Sequence, residues 1–153
     1  MRALVIVLGL LAAYGAGILF YRNINTNTSS ETEQRQLKTQ TETDITASFT
    51  IITDSITRNF SNPKYHNKSE KVFIATDNPS LIYIKKAGVR WSDFFATLPM
   101  KLTKECLITG DGETLCNKEQ GTLEFFLNDK EDKDVLDKVI KQNDKLLVRF
   151  TSN

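Results

Sequence analysis

Apolar and polar positions divide the chain into three unlike stretches. From Ala3 to Phe20 it reads ALVIVLGLLAAYGAGILF, eighteen uncharged, mostly apolar residues behind the single basic residue Arg2. At about 1.5 Å per residue a helix of that length spans about 27 Å, close to the hydrocarbon thickness of a bilayer. Residues 3–20 therefore predict a membrane-spanning helix, because a core helix of a globular domain would need a polar face and none is present. Gly15-Ala16-Gly17 has the small-residue pattern of a signal-peptidase site, yet Ile18 to Tyr21 carry the apolar character past it. The reading is a retained anchor over residues 1–22. Arg2 on one side and Arg22 on the other bias the amino terminus weakly towards the cytoplasm, which puts the remainder outside it.

The second stretch, NINTNTSSETEQRQLKTQTETD over residues 23–44, holds only Ile24 and Leu37 as large apolar residues. Such a segment cannot bury enough surface to offset its ordering entropy, so it is expected to be a disordered polar linker. With twenty-two residues its ends lie roughly 25 Å apart on average, a tether of moderate reach.

The third stretch, residues 45–153, alternates with the period of β-strands. ITASFTII and SITRNF flank Thr53 and Asp54 and predict an opening hairpin, while KVFIA and LIYIK flank a turn containing Pro79 and predict a second. Between them NFSNPKYHNKSE reads as a polar loop. In VRWSDFFATLPM the period changes: Ser92 is a candidate cap, Asp93 suits the positive end, Phe94, Phe95 and Leu98 share a side, and Pro99 ends the pattern. A short helix over residues 92–98 follows. GTLEFFLND sets Leu123, Phe125 and Leu127 on one face of a strand, DVLDKVI suggests one helical turn with Val135, Leu136, Val139 and Ile140 inward, and KLLVRF closes the chain as a strand. The expected fold class is α+β: a transmembrane helix, then a small mainly antiparallel β domain of β-grasp type with one short helix.

Charge narrows the function. Residues 45–153 carry 16 Lys plus Arg against 15 Asp plus Glu, and the whole chain has a formal net charge of +1. So even a balance argues against nucleic acid, which requires clustered positive charge. His66, the only histidine, is expected at the surface of a polar loop. Trp91 is expected in or at the rim of the core rather than as a ligand platform. The acidic cluster Asp129, Glu131, Asp132 and Asp134 lacks the glycine and terminal Glu of an EF-hand loop and is broken by Lys130 and Lys133, so it reads as a solvated loop. Three Asn-x-Ser triplets, at Asn27, Asn59 and Asn67, are potential glycan acceptors in an exported protein. No cofactor-binding pattern and no metal-ligand set is identified.

Two cysteines carry the most specific local signal. Cys106 and Cys116 bracket Gly110-Asp111-Gly112, and a hairpin turning at Asp111 pairs 109 with 113, 108 with 114 and 107 with 115, which sets 106 opposite 116. Directly opposed cysteines on neighbouring strands meet disulfide geometry best at a non-hydrogen-bonded pair. In an oxidising compartment a structural disulfide is the expectation. The alternative is a thiol-disulfide or metal-handling pair, although nine intervening residues are not CxxC and two Cys with one distant His supply at most three zinc ligands.

FSNPKY, GVRWSDFFATLPMKLTKECL, LEFFLND and NDKLLVRF together resemble a family of uncharacterised, membrane-anchored small β-rich domains from archaea and uncultivated bacterial lineages. The family pattern is an aromatic pair on a short helix, a Cys pair around a tight turn, a strand running into a loop that often holds Asn-Gly, and a closing strand after Gly-Asp or Asn-Asp. Phe94-Phe95, Cys106 and Cys116, Asn128-Asp129 and Asn143-Asp144 occupy those places. Many members also carry histidines in the first two hairpins, where this chain has Asp44, Thr46, Phe73, Tyr83 and Lys85, so the metal site that the resemblance implies is not expected here. The functional expectation is a single-pass envelope protein whose extracytoplasmic domain is non-enzymatic and binds another protein or a surface component. A redox role for Cys106 and Cys116 and a pilus or secretion accessory role are the alternatives.

Overall fold

The computed structural model of the chain describes residues Glu42–Asn153, so the expected anchor at residues 3–20 and most of the expected linker lie outside the described residues. Among the described residues no helix is long and apolar enough to cross a membrane. The domain begins with β1 (Glu42–Thr53), three residues before the start read from the sequence, because Glu42 to Asp44 continue the strand. It proceeds through β2 (Ile56–Thr57), β3 (Val72–Ile74), β4 (Leu81–Lys86), helix α1 (Trp91–Ala96) and the short strands β5 (Lys101–Leu102), β6 (Cys106–Ile108) and β7 (Thr114–Cys116). The chain ends with β8 (Gly121–Leu127), β9 (Lys130–Glu131) and β10 (Lys145–Ser152). Single 3-10 turns form at Pro63–Tyr65 and Val135–Asp137.

Two sheets result. The larger has the order β3-β4-β1-β10-β8-β9, with β2 added to β1, and the smaller is β5-β6-β7. Every pairing between the described strands is antiparallel except one: β1 and β10 run parallel at the centre, from Ser48↔Lys145 to Thr53↔Phe150. A parallel pair cannot be closed by a hairpin, so the intervening chain must cross back over the sheet. It does so over one face only. Ala47, Phe49 and Ile51 of β1, Ile82 and Ile84 of β4, Phe125 of β8, and Leu146, Val148 and Phe150 of β10 all point to that face and are buried. Alternate residues such as Thr46, Thr50, Tyr83 and Leu147 point to the other.

Aromatic side chains fill the layer beneath the sheet. Trp91, Phe94 and Phe95 on α1 are buried, and Phe49 meets Phe94 and Phe95 edge-on at 5.1 and 5.9 Å. From Phe49 the contacts run on to Phe60 at 4.8 Å and from Phe60 to Tyr65 at 5.0 Å, linking the helix to the far end of the core. The helix starts one residue earlier than its sequence suggests. Ser92 is not the cap; the Asp93 carboxylate accepts the Arg90 backbone N–H at 2.8 Å instead.

The opening hairpin is smaller than expected: only Ile56 and Thr57 pair back onto β1, which turns instead to β4 and β10. Its two-residue turn, Asp54-Ser55, has φ of 48° and 69°, and Asn128-Asp129 between β8 and β9 has 52° and 66°. Both are left-handed conformations that Asn and Asp tolerate and that match the twist of a tight hairpin. The second hairpin, β3-β4, forms where expected. Val135, Leu136 and Ile140 are buried, but Val139 is 42% exposed, because the single 3-10 turn ends at Asp137 and the helical spacing stops applying.

Candidate functional site

The cysteine pair lies where hairpin symmetry puts it. Thr109 N donates to Glu113 O at 2.9 Å and closes the turn, the register continues 108↔114 and 107↔115, and Cys106 faces Cys116. Alternation from the bonded 109:113 pair makes 106:116 a non-hydrogen-bonded pair, and the Cα atoms are 4.2 Å apart. The two sulfurs form a disulfide. It lies on the face of the small sheet opposite Leu107 and Leu115, which are buried in the core. The bond therefore staples the base of the β6-β7 hairpin, whose tip, Gly110 to Glu113, projects beyond it.

That tip forms one wall of a cleft of about 310 Å3 at the end of the core. Ile51, Phe60 and Leu107 form an apolar floor, Tyr65 and Met100 the sides, and Ile56 stands at the mouth. Ile56 follows the two-residue turn and shares the inward face of the hairpin with Thr53, yet it is 66% exposed. The only other large hydrophobic residue comparably exposed among the described residues is Val139.

Polar ties hold the cleft's walls together. Arg58 donates to Thr53 Oγ1 at 2.7 Å and pairs with Glu113 at 2.5 Å, joining β1 and the following loop to the hairpin tip. Lys64 pairs with Asp111 at 2.8 Å and also reaches Gly110 O at 3.3 Å. The hydrogen bond from Lys64, followed by its charge, lowers the Asp111 pKa below the usual carboxylate range, and the same hydrogen bond raises that of Lys64. All four rim charges are thus opposed in pairs. Gly110 is a matter of space: a Cβ there would meet the Tyr65 hydroxyl at 2.3 Å and Pro99 O at 3.1 Å. Gly112 is a matter of backbone, with φ of 91° in the turn.

Other residues singled out in the sequence are dispersed. His66 is buried, not exposed, because the loop folds inward with Phe60 and Tyr65; its Nε2 donates to Phe60 O at 2.8 Å, and Nδ1 has no partner among the described residues. Trp91 is fully buried in the core. The acidic cluster faces lysines: Asp134 and Asp137 both reach Lys104, at 2.6 and 2.7 Å, Asp132 pairs with Lys138, and Glu131 lies 3.7 Å from Lys133. The two Asn-Asp dipeptides meet, since Asn128 Nδ2 donates to Asp144 Oδ1 at 3.0 Å and Asn128 Oδ1 accepts from Lys145 N at 2.9 Å. Asp44, Thr46, Phe73, Tyr83 and Lys85 come together on the outer face: Phe73 and Tyr83 stack at 5.6 Å, Thr46 is in register with Tyr83, and Lys85 pairs with Asp44 at 2.7 Å. Among the described residues no group of three or more His, Cys, Asp or Glu is arranged to hold a metal.

The cleft was missed in the sequence. Its floor belongs to three separated segments, and no local pattern in the sequence brings them together. No family model, no curated protein and no solved structure matches the chain.

Proposed function

We propose that the chain is a single-pass, membrane-anchored protein whose Glu42–Asn153 domain lies outside the cytoplasm and acts as a non-enzymatic binding module for another protein or a surface component. The observation that carries this reading is the cleft: an apolar floor, an exposed Ile56 at its mouth and rim charges already paired with one another. Such a site offers shape and apolar surface, the properties of a recognition site, rather than a group poised to transfer a proton. The apolar run at residues 3–20 supports the anchor, and a disulfide suits an oxidising compartment. We also assign the domain to the β-grasp type and to the histidine-poor end of the family it resembles. The central parallel pair of first and last strands, flanked by β4 and β8 and crossed by α1, supports the first assignment.

Two measurements test the proposal. Alkylation without reductant of protein taken from its native envelope should leave Cys106 and Cys116 unlabelled; labelling of both would put the domain in a reducing compartment. Cross-linking of intact membranes carrying the full chain should capture a reproducible partner, and its absence would count against a binding role.

A further inference from the structure

The cleft and the strand beside it restrict what can bind. Arg58 N donates to Ile51 O at 2.8 Å, so 51:58 is a hydrogen-bonded pair of the β1-β2 ladder. By alternation 52:57 is a non-hydrogen-bonded pair, and Thr57 directs its own N–H and C=O away from β1. Thr57 is exposed and lines the cleft. Among the described residues, an unpaired strand edge and a cavity with an apolar floor and polar walls therefore share one mouth. That combination is the arrangement by which an extended peptide is held, main-chain bonds supplying alignment and a pocket accepting an alternate side chain.

Size and charge specify the side chain. A volume of about 310 Å3 is at the small end for ligand sites, enough for one aliphatic or aromatic group. The rim charges sum to zero, Arg58 against Glu113 and Lys64 against Asp111, so the mouth carries no net charge to attract an anion or a cation, and the floor of Ile51, Phe60 and Leu107 suits a neutral group. We propose that the cleft takes a neutral aliphatic or aromatic side chain of an extended peptide, whose backbone pairs with Thr57 at the edge of β2. This rests on the binding-module reading above and adds the chemistry of the partner.

The test uses the full chain in lipid nanodiscs, observed through the methyl groups of Ile56 and Met100 and the backbone amide of Thr57. Three neutral probes are titrated: the capped tripeptide Thr-Phe-Thr, its Thr-Ala-Thr analogue and 4-methylphenol. Thr-Phe-Thr should shift both methyls and the Thr57 amide, and Thr-Ala-Thr should bind about tenfold more weakly or not at all. 4-Methylphenol should move the methyls and leave the amide in place. Equal amide shifts from 4-methylphenol and the tripeptide would overturn the peptide assignment in favour of a small-molecule site, and absence of any shift from Thr-Phe-Thr would overturn the cleft assignment. Ile56→Asp should reduce Thr-Phe-Thr affinity about tenfold while the dispersion of the remaining methyl signals reports an intact fold. A membrane cross-linking partner retained by Ile56→Asp would overturn the cleft while leaving the binding role standing. Tripeptide binding without any membrane partner would support the cleft and count against that role.

Discussion

The two sheets are held by different forces. The larger one owes its order to burial: β1, β4, β8 and β10 each turn a row of apolar side chains onto the aromatic layer of α1, and the parallel β1-β10 pair joins segments about a hundred residues apart in sequence. The smaller one contributes Leu107 and Leu115 to that core, with Leu102 partly buried against it, and is otherwise secured by a disulfide and by ion pairs at the hairpin tip. Burial fixes a structure cooperatively, whereas exposed ion pairs contribute little each. The cleft lies where the two regimes meet, with Ile51 of β1 and Leu107 of β6 both in its floor and one wall on a tip that polar ties and a covalent staple keep in place.

Removing core volume should erase the contrast. Phe49→Ala deletes the ring that contacts Phe60, Phe94 and Phe95, and should destabilise the domain by about 3 to 5 kcal/mol in urea unfolding, with both sheets lost in one transition. A smaller loss confined to the small sheet would mean that the cores are separable.

Replacing both cysteines should sharpen it. Cys106→Ser with Cys116→Ser removes the constraint on an eleven-residue loop and should cost roughly 2 to 3 kcal/mol. Amide exchange should accelerate in β6 and β7 well before β1 and β10, and uniform acceleration would show that the staple supports the whole domain.

Gly110→Ala acts at the cleft itself. The added Cβ overlaps the Tyr65 hydroxyl, so either the ring or the tip must move, at a cost of about 1 to 3 kcal/mol. Shifted resonances for Tyr65 and Thr109 with β8 and β10 unchanged are the expected outcome.

Acid should have the smallest effect. Hydrogen bonds from Lys64, Lys104 and Ser152 lower the pKa values of Asp111, Asp134 and Asp54 respectively. Each therefore adds stability that is fully present above the unfolded carboxylate pKa and is lost as pH falls through the lower folded value. All three are exposed, so the melting temperature should drop only modestly below about pH 4, and added salt should shrink the drop.

These differences also explain how far the sequence could be read. Local signals translated directly: the Gly-Asp-Gly centre of symmetry gave the full register of β6 and β7, and the alternation of Leu123 and Phe125 gave β8 its buried face. Where the outcome depended on distant partners, local patterns misled. SITRNF has strand character but contributes two paired residues, because β4 and β10 already occupy most of β1. His66 sits in a polar string and is buried because Phe60 and Tyr65 on either side of it anchor the loop inward. Ser92 resembles a cap, but the carboxylate of Asp93 reaches the Arg90 N–H first. The cleft was hidden for the same reason, since Ile51, Phe60 and Leu107 are adjacent only after folding.

Whether the cleft is where a partner docks can be read by placing a photo-reactive residue at position 56 of the full chain in its native membrane, with the same residue at position 139 as the control. Both positions expose a large hydrophobic side chain, but only Ile56 opens onto the cleft. A discrete protein adduct is expected from position 56 that excess capped Thr-Phe-Thr suppresses, and none of comparable yield from position 139. Equal labelling from the two positions, or an adduct at 56 indifferent to the tripeptide, would contradict docking at the cleft.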